Sequence, residues 1–143
     1  FINGSGTTTQ THNYSWSEKL QPGVYSYQLK QVDFNGKFEY SKEIDVIVAP
    51  KSFSLEQNYP NPFNPSTTIK YNLPVESHIV IKVYNSLGQN VRELNLGIKQ
   101  QGFHELHFNS TGLASGVYLY AIKAISVDGK KDFYSIKKMI LMK

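Results

Sequence analysis

The side chains able to do acid–base or metal chemistry are few and poorly grouped. The histidines are His12, His78, His104 and His107. His104-Glu105-Leu106-His107 has the look of a metal-ligand set, but it is not His-Glu-x-x-His. On a strand, positions 104 and 107 point to opposite faces, so the four residues read as a surface strand. The acidic residues are scattered, with no two set as an acid–base couple. No serine stands in a Gly-x-Ser-x-Gly elbow. Gly4-Ser5-Gly6 precedes no helix that would present its N-terminus to a phosphate, and it reads as a turn. Asp33, Asp45, Asp128 and Asp132 are available to a calcium ion in a loop, yet no spaced Asp/Asn ligand run joins them. Asn-x-Ser/Thr sequences begin at Asn3, Asn13 and Asn109 and read as products of a composition rich in Asn, Ser and Thr. There is no cysteine, which removes a disulfide framework, a thiolate metal site and a cysteine nucleophile. No catalytic residue, metal ligand or cofactor is therefore assigned.

Charge narrows the partners. Residues 1–50 carry four Lys against five Asp/Glu, net −1, and residues 51–143 carry ten Lys and one Arg against six Asp/Glu, net +5. Five of those lysines fall in the last fourteen residues. Nucleic-acid binding surfaces are denser and richer in Arg, so one Arg argues against that partner class. No apolar run approaches the ~18 residues that cross a bilayer, and no N-terminal basic–apolar–small signal is present. The opening FINGSGTTT reads as the interior of a domain, with any leader lying upstream.

Residues 58–66 read NYPNPFNPS and are the most distinctive stretch of the chain. Pro60, Pro62 and Pro65 each fix φ, remove a donor and push the preceding residue out of the α region. Asn58, Asn61 and Asn64 alternate with them around Tyr59 and Phe63. The stretch can be neither a helix nor a central strand, and it is expected to be an extended, stiff lead-in between two modules.

The remainder alternates with period two, the pattern of half-buried strands. Tyr25, Tyr27 and Leu29 share one face, Ile79, Ile81 and Val83 another, and Leu106 and Phe108 a third. Turn signals separate these runs: Pro22-Gly23, Asn35-Gly36, Leu87-Gly88, Ser115-Gly116 and Asp128-Gly129. Asn-Gly and Asp-Gly predict type I′ hairpins, with φ > 0 at both central residues. The sequence also repeats: PGVYSYQLKQVDFNGK (22–37) matches SGVYLYAIKAISVDGK (115–130). Gly23 falls on Gly116, Tyr25 on Tyr118, Tyr27 on Tyr120 and Gly36 on Gly129, each copy a long hairpin. The spacing is too long for a solenoid and suits an immunoglobulin-like sandwich of ~100 residues and about seven strands.

The expected fold is all-β. A complete Ig-like antiparallel sandwich over 52–143 has strands near 53–58, 67–73, 78–85, 90–95, 102–109, 116–126 and 132–142. It is preceded over 1–49 by the C-terminal part of an Ig- or fibronectin III-like module, with strands near 12–16, 24–33 and 38–48. Ala49-Pro50-Lys51 is the linker. Three strands cannot bury two faces, so the first part is expected to be the remnant of a larger module. The end IKKMILMK reads as a final edge strand with Lys as a guard against edge-to-edge pairing.

These residues carry a family resemblance. LEQNYPNPFNPSTTIKYNLP (55–74) resembles the opening of the type A C-terminal sorting domain of the bacterial type IX secretion system. The resemblance continues through 80–94, 102–124 and KKMILMK (137–143). It implies a non-catalytic module that directs a cargo protein across the outer membrane of Bacteroidetes-like bacteria, through the periplasm, to be secreted or held at the cell surface. The secretion machinery and a surface sortase would be its partners. The motif positions it implies for recognition are Asn58, Tyr59, Pro60, Asn61, Pro62, Phe63, Asn64 and Pro65; Leu87, Gly88 and Gln89; Gly116, Val117 and Tyr118; and Lys137, Lys138 and Lys143. Removal of residues 137–143 is expected to trap the cargo. The alternative is a structural or adhesive extracellular β-module whose incomplete first part takes strands from neighbouring copies and so polymerises.

Overall fold

A computed structural model describes residues 2–4, 6 and 9–143. Ser5, in the expected turn near the start, lies outside the described residues. The chain divides into two compact units, one ending at Val48 and one spanning Ala49–Lys143.

The first unit holds β1 (Gly23–Tyr27), β2 (Lys30–Val32), β3 (Phe38–Tyr40) and β4 (Ile44–Val48). Together they form a single antiparallel hairpin with a fault in the middle. Gly23 pairs with Val48 and Tyr27 with Ile44. Beyond the fault, Lys30 pairs with Tyr40 and Val32 with Phe38. Residues 41–43 on the return side face only 28 and 29, and Ser41 fills the gap. Its amide donates to Leu29 O and its Oγ accepts from Leu29 N, each at 2.9 Å. This bulge splits the expected runs 24–33 and 38–48 in two. The expected strand at 12–16 does not form; alternation by itself does not make a strand without a ladder. Leu29 is 75% exposed and leaves the face it was expected to share with Tyr25 and Tyr27, which remain half-buried.

The second unit is a sandwich of seven strands: β5 (Ser54–Leu55), β6 (Ser66–Leu73), β7 (Ser77–Tyr84), β8 (Asn90–Lys99), β9 (Gly102–Asn109), β10 (Gly116–Ser126) and β11 (Asp132–Leu141). One sheet has the order β5-β6-β9 and the other β11-β10-β7-β8. Every pairing between these strands is antiparallel. The connections β6–β7, β8–β9 and β9–β10 each cross between sheets, the Greek-key wiring of an Ig-like fold. Alternation decides the faces: Ile69, Tyr71 and Leu73 of β6 point inward, as do Ile79, Ile81 and Val83 of β7. Tyr120 and Ile122 of β10 join Met139 and Leu141 of β11 in the same buried cluster.

The turns differ from the expected type. Among the described residues no non-glycine has positive φ, so Asn35 and Asp128 cannot occupy type I′ positions. Instead the glycine of each turn takes the positive φ, 81° at Gly36, 76° at Gly88 and 69° at Gly129. Each closes a turn whose amide reaches back three residues, to Asp33 O, Asn85 O and Ser126 O. The side chain before the glycine supplies the remaining order in two of the three, with Asn35 Oδ1 and Asp128 Oδ1 accepting from Lys37 N and Lys130 N. Asx side chains bonding their own backbone make this longer loop preferable to a two-residue turn.

Candidate recognition site at one edge and pole

The distinctive segment begins as a partner of β6. Leu55 pairs with Tyr71, Glu56 N donates to Lys70 O at 2.9 Å, and Tyr59 and Thr68 exchange both backbone bonds at 3.0 and 2.9 Å. It then crosses to the other sheet. Phe63 N donates to Ile140 O and Met142 N donates to Phe63 O, each at 3.0 Å, so Phe63 pairs in parallel with the end of β11. Two side chains complete the seam: Asn61 Oδ1 accepts from Ile140 N at 2.9 Å, and Gln57 Nε2 donates to Lys138 O at 2.7 Å. The segment is therefore not the extended lead-in that its prolines predicted. It closes on itself between Tyr59 and Thr68 and ties both sheets together. The Tyr59-Pro60, Asn61-Pro62 and Asn64-Pro65 peptides are cis. Around the prolines, which lack a donor, the side chain of Asn58 donates hydrogen bonds and that of Asn61 accepts one.

Asn58 anchors this crossing from inside, only 2% exposed. Its Nδ2 donates to Pro60 O at 3.0 Å and Thr67 Oγ1 at 2.9 Å, while its Oδ1 accepts from Gln57 Nε2 at 2.7 Å. Its backbone N–H donates to Tyr120 Oη at 2.8 Å, and that hydroxyl donates to Glu56 O at 2.7 Å. Burial pushes the Tyr120 phenol up to about 12, against a smaller downward pull from the Asn58 amide. Phe63 is buried with its ring 6.2 Å from that of Phe108, edge to face. Pro65 O accepts from both N and Oγ of Ser110, at 2.9 and 2.8 Å, which fastens the loop before β10. Tyr59, Pro60, Pro62, Asn64 and Pro65 face solvent.

The other motif positions gather at the same pole. Gly116 pairs with Leu141, beside Phe63. Val117 is exposed, Tyr118 is buried, and Lys143 N donates to Ser115 Oγ at 3.1 Å. Tyr118 Oη donates to Ala114 O at 2.7 Å, and Tyr25 Oη donates to Gln21 O at 2.9 Å. Both repeats thus carry a tyrosine bonded to the backbone four residues upstream, as in the tyrosine corner of Ig-like domains. Tyr84 pairs with Leu119, so the turn carrying Leu87, Gly88 and Gln89 leaves β7 where β10 begins and β11 ends. Asn85 holds that turn, its Oδ1 accepting from Leu87 N and Gln89 N at 3.0 Å each. Lys137 is half-buried and Lys138 exposed on β11, and Lys143 is exposed beyond it.

Arg92, the one arginine, is a position that reading by motif overlooked. Its Nη1 and Nη2 donate to Asn109 O and Thr111 O at 3.1 and 2.9 Å, and its guanidinium lies 5.9 Å from the Phe108 ring centre. It locks β8 to the β9–β10 loop. Its fork geometry suits two carbonyls at once, and only its rarity in the sequence hinted at a fixed role.

Elsewhere, His104, His107, Asp45 and Asp128 have structural partners. His104 stacks on Tyr71 at 5.2 Å and its Nε2–H donates to Gln100 O, while His107 meets Thr68 on the opposite face. Asp45 accepts from Ser26 Oγ and Asp128 from Ser126 Oγ, each at 2.6 Å. Hydrogen bonds from Ser126 and the Lys130 amide hold the Asp128 carboxyl below its ordinary range. Among the described residues no group of three or more His, Cys, Asp or Glu is placed to hold a metal ion.

The second unit is thus a small all-β domain of the Ig-like sandwich class, with its distinctive residues at one edge and pole. Residues 57–141 match the family described as the secretion system C-terminal sorting domain, and the chain belongs to that family. The family marks proteins for type IX export to the cell surface or the medium. No curated protein matches the chain. Among solved structures it is similar to CopC from Methylosinus trichosporium OB3b, with 21% identity over 63% of this chain and 93% of that chain and a TM-score of 0.45. No helix among the described residues is long and apolar enough to cross a membrane.

Proposed function

We propose that the Ala49–Lys143 unit is the non-catalytic sorting and anchoring module of a larger exported protein, read by the secretion machinery and then by a surface sortase. The family match over 57–141 carries this reading. The grouping of Asn58–Pro65, Leu87–Gln89, Gly116–Tyr118 and the last strand at one edge and pole supports one recognition surface built from those motifs. We further propose that the unit ending at Val48 is the last hairpin of a preceding Ig- or fibronectin III-like module. The shared tyrosine bond of Tyr25 and Tyr118 supports that assignment.

The test is a fusion of the full chain to a periplasmic reporter in a host with type IX secretion. The reporter should appear outside the cell. Deleting residues 137–143 is a poor probe of the terminal signal, because Met139 and Leu141 belong to the core. Replacing Lys137, Lys138 and Lys143 together by Gln preserves those two residues. Export unchanged by that triple substitution would remove the lysines from the signal. The adhesive, polymer-forming alternative has no support in the family match.

A further inference from the structure

We propose that the uncovered half of the β11 edge, residues 132–136, receives an extended acidic strand from a partner protein. This rests on the sorting reading, since the export machinery supplies the partner. β11 is the outer strand of its sheet, and among the strands of the described residues it pairs with β10 alone. On its free side the lead-in segment occupies Lys138 O, both backbone groups of Ile140, and Met142 N. Strand alternation turns the backbone groups of Ile136, Tyr134 and Asp132 to that same side. Among the described residues no hydrogen bond reaches them there. Their side chains share the outer face, with Tyr134 62% and Ile136 46% exposed. β5 runs beside this stretch and Phe53 stacks on the inward-facing Phe133, but the hydrogen bonds to the free edge end at Lys138, which leaves a short template of open backbone groups for strand addition. The opposite edge of the sheet, β8, meets its neighbour with register shifts at Ile79/Val80 and Val83/Tyr84, which twist an edge away from such pairing.

Charge selects the occupant. Lys130 and Lys131 stand below the open stretch and Lys137 and Lys138 above it, against Asp132 alone. The ion pairs among the described residues are Lys70–Glu105 and Lys82–Glu93, so none of these four lysines is tied in an ion pair, and only Lys131 has a carboxylate, Asp128, acting on it from nearby. Two copies meeting edge to edge would set one positive stretch against another, which disfavours self-pairing. A strand with β-branched or aromatic residues at its centre and carboxylates at both ends satisfies the lysines, the apolar pair and the open backbone together.

Ile136→Pro tests this directly. It removes one outward donor while leaving the β10 ladder bonds in place, and proline is tolerated on edge strands. The probe is a synthetic peptide with Val at its centre and Glu at both ends, titrated against the full chain with amide exchange as the readout. The peptide should slow exchange at Tyr134 and Ile136, weaken with added salt, and bind Ile136→Pro about tenfold less tightly, the size of one or two lost hydrogen bonds. The doubly reversed Lys131→Glu, Lys138→Glu variant should lose binding as well, and it stands in if the proline variant fails to fold. No binding, equal binding to these variants, or protection that grows with protein concentration in the absence of peptide overturns the inference; the last outcome gives the edge to a second copy. In the reporter fusion, retention of the unaltered chain defeats the sorting reading itself. Export of the unaltered and Ile136→Pro fusions alike defeats only the edge inference.

Discussion

Asn61 Oδ1 accepts a hydrogen bond from the backbone N–H of Ile140 at 2.9 Å, across 79 residues of sequence. With Phe63 it joins the start of the sandwich to its final strand, so the ends of the domain are formed by one another. Truncation or mutation at either end is felt at both.

Asn61→Ala should leave the Ile140 amide open to exchange and lower stability by about 1 kcal/mol, the net worth of one hydrogen bond. Asn61→Asp keeps an acceptor oxygen and should protect Ile140 nearly as well. Site-resolved hydrogen exchange and urea unfolding measure both, and identical behaviour of the two variants would sink the assignment.

Phe63→Ala should cost roughly 3–5 kcal/mol, the usual range for a buried aromatic truncated to Ala. Phe63→Leu should cost less, because it refills part of the space against Phe108. Chemical denaturation of the two variants gives the order; a smaller loss for Ala than for Leu would show that Phe63 is not a core residue.

Tyr120 predicts an alkaline limit. Its folded pKa, about 12, lies above the unfolded value of 10.0, chiefly through burial. A raised pKa means its contribution is whole below pH 10 and is lost as pH rises toward 12. Burial also raises Tyr71, which adds to the loss in the same direction. Unfolding followed against pH should steepen across that window, and Tyr120→Phe should flatten it while lowering stability at neutral pH through the unpaired Asn58 amide and Glu56 carbonyl.

Arg92→Lys keeps the charge and loses the fork. It should lower stability by about 1 kcal/mol and speed amide exchange in the β9–β10 loop. Thermal unfolding equal to that of the unaltered chain would mean that the contacts to Asn109 O and Thr111 O carry no weight.

Much of the second unit was legible. Strand positions at 67–73, 102–109 and 116–126 follow from alternation that one buried face enforces, and the observed strands Ser66–Leu73, Gly102–Asn109 and Gly116–Ser126 differ by a residue at most. The hairpin repeat was legible because glycine and tyrosine sit where backbone geometry needs them. What failed depended on partners. Residues 12–16 alternate well enough but do not form a strand. Asn35-Gly36 and Asp128-Gly129 marked turns correctly and their type wrongly, because side-chain bonds from Asn35 and Asp128 favour a longer loop.

The segment 58–65 shows the division most clearly. Its prolines alone determine that it is neither helix nor central strand, since φ and the missing donors are local properties. Whether it runs extended or folds back is not local. That was decided by Thr68 just beyond the segment and by Tyr120 and Ile140 far along the chain, whose backbone and hydroxyl groups the segment meets only in the folded sandwich. Residue types determine what each group can bond, and tertiary packing decides which groups are left to be bonded.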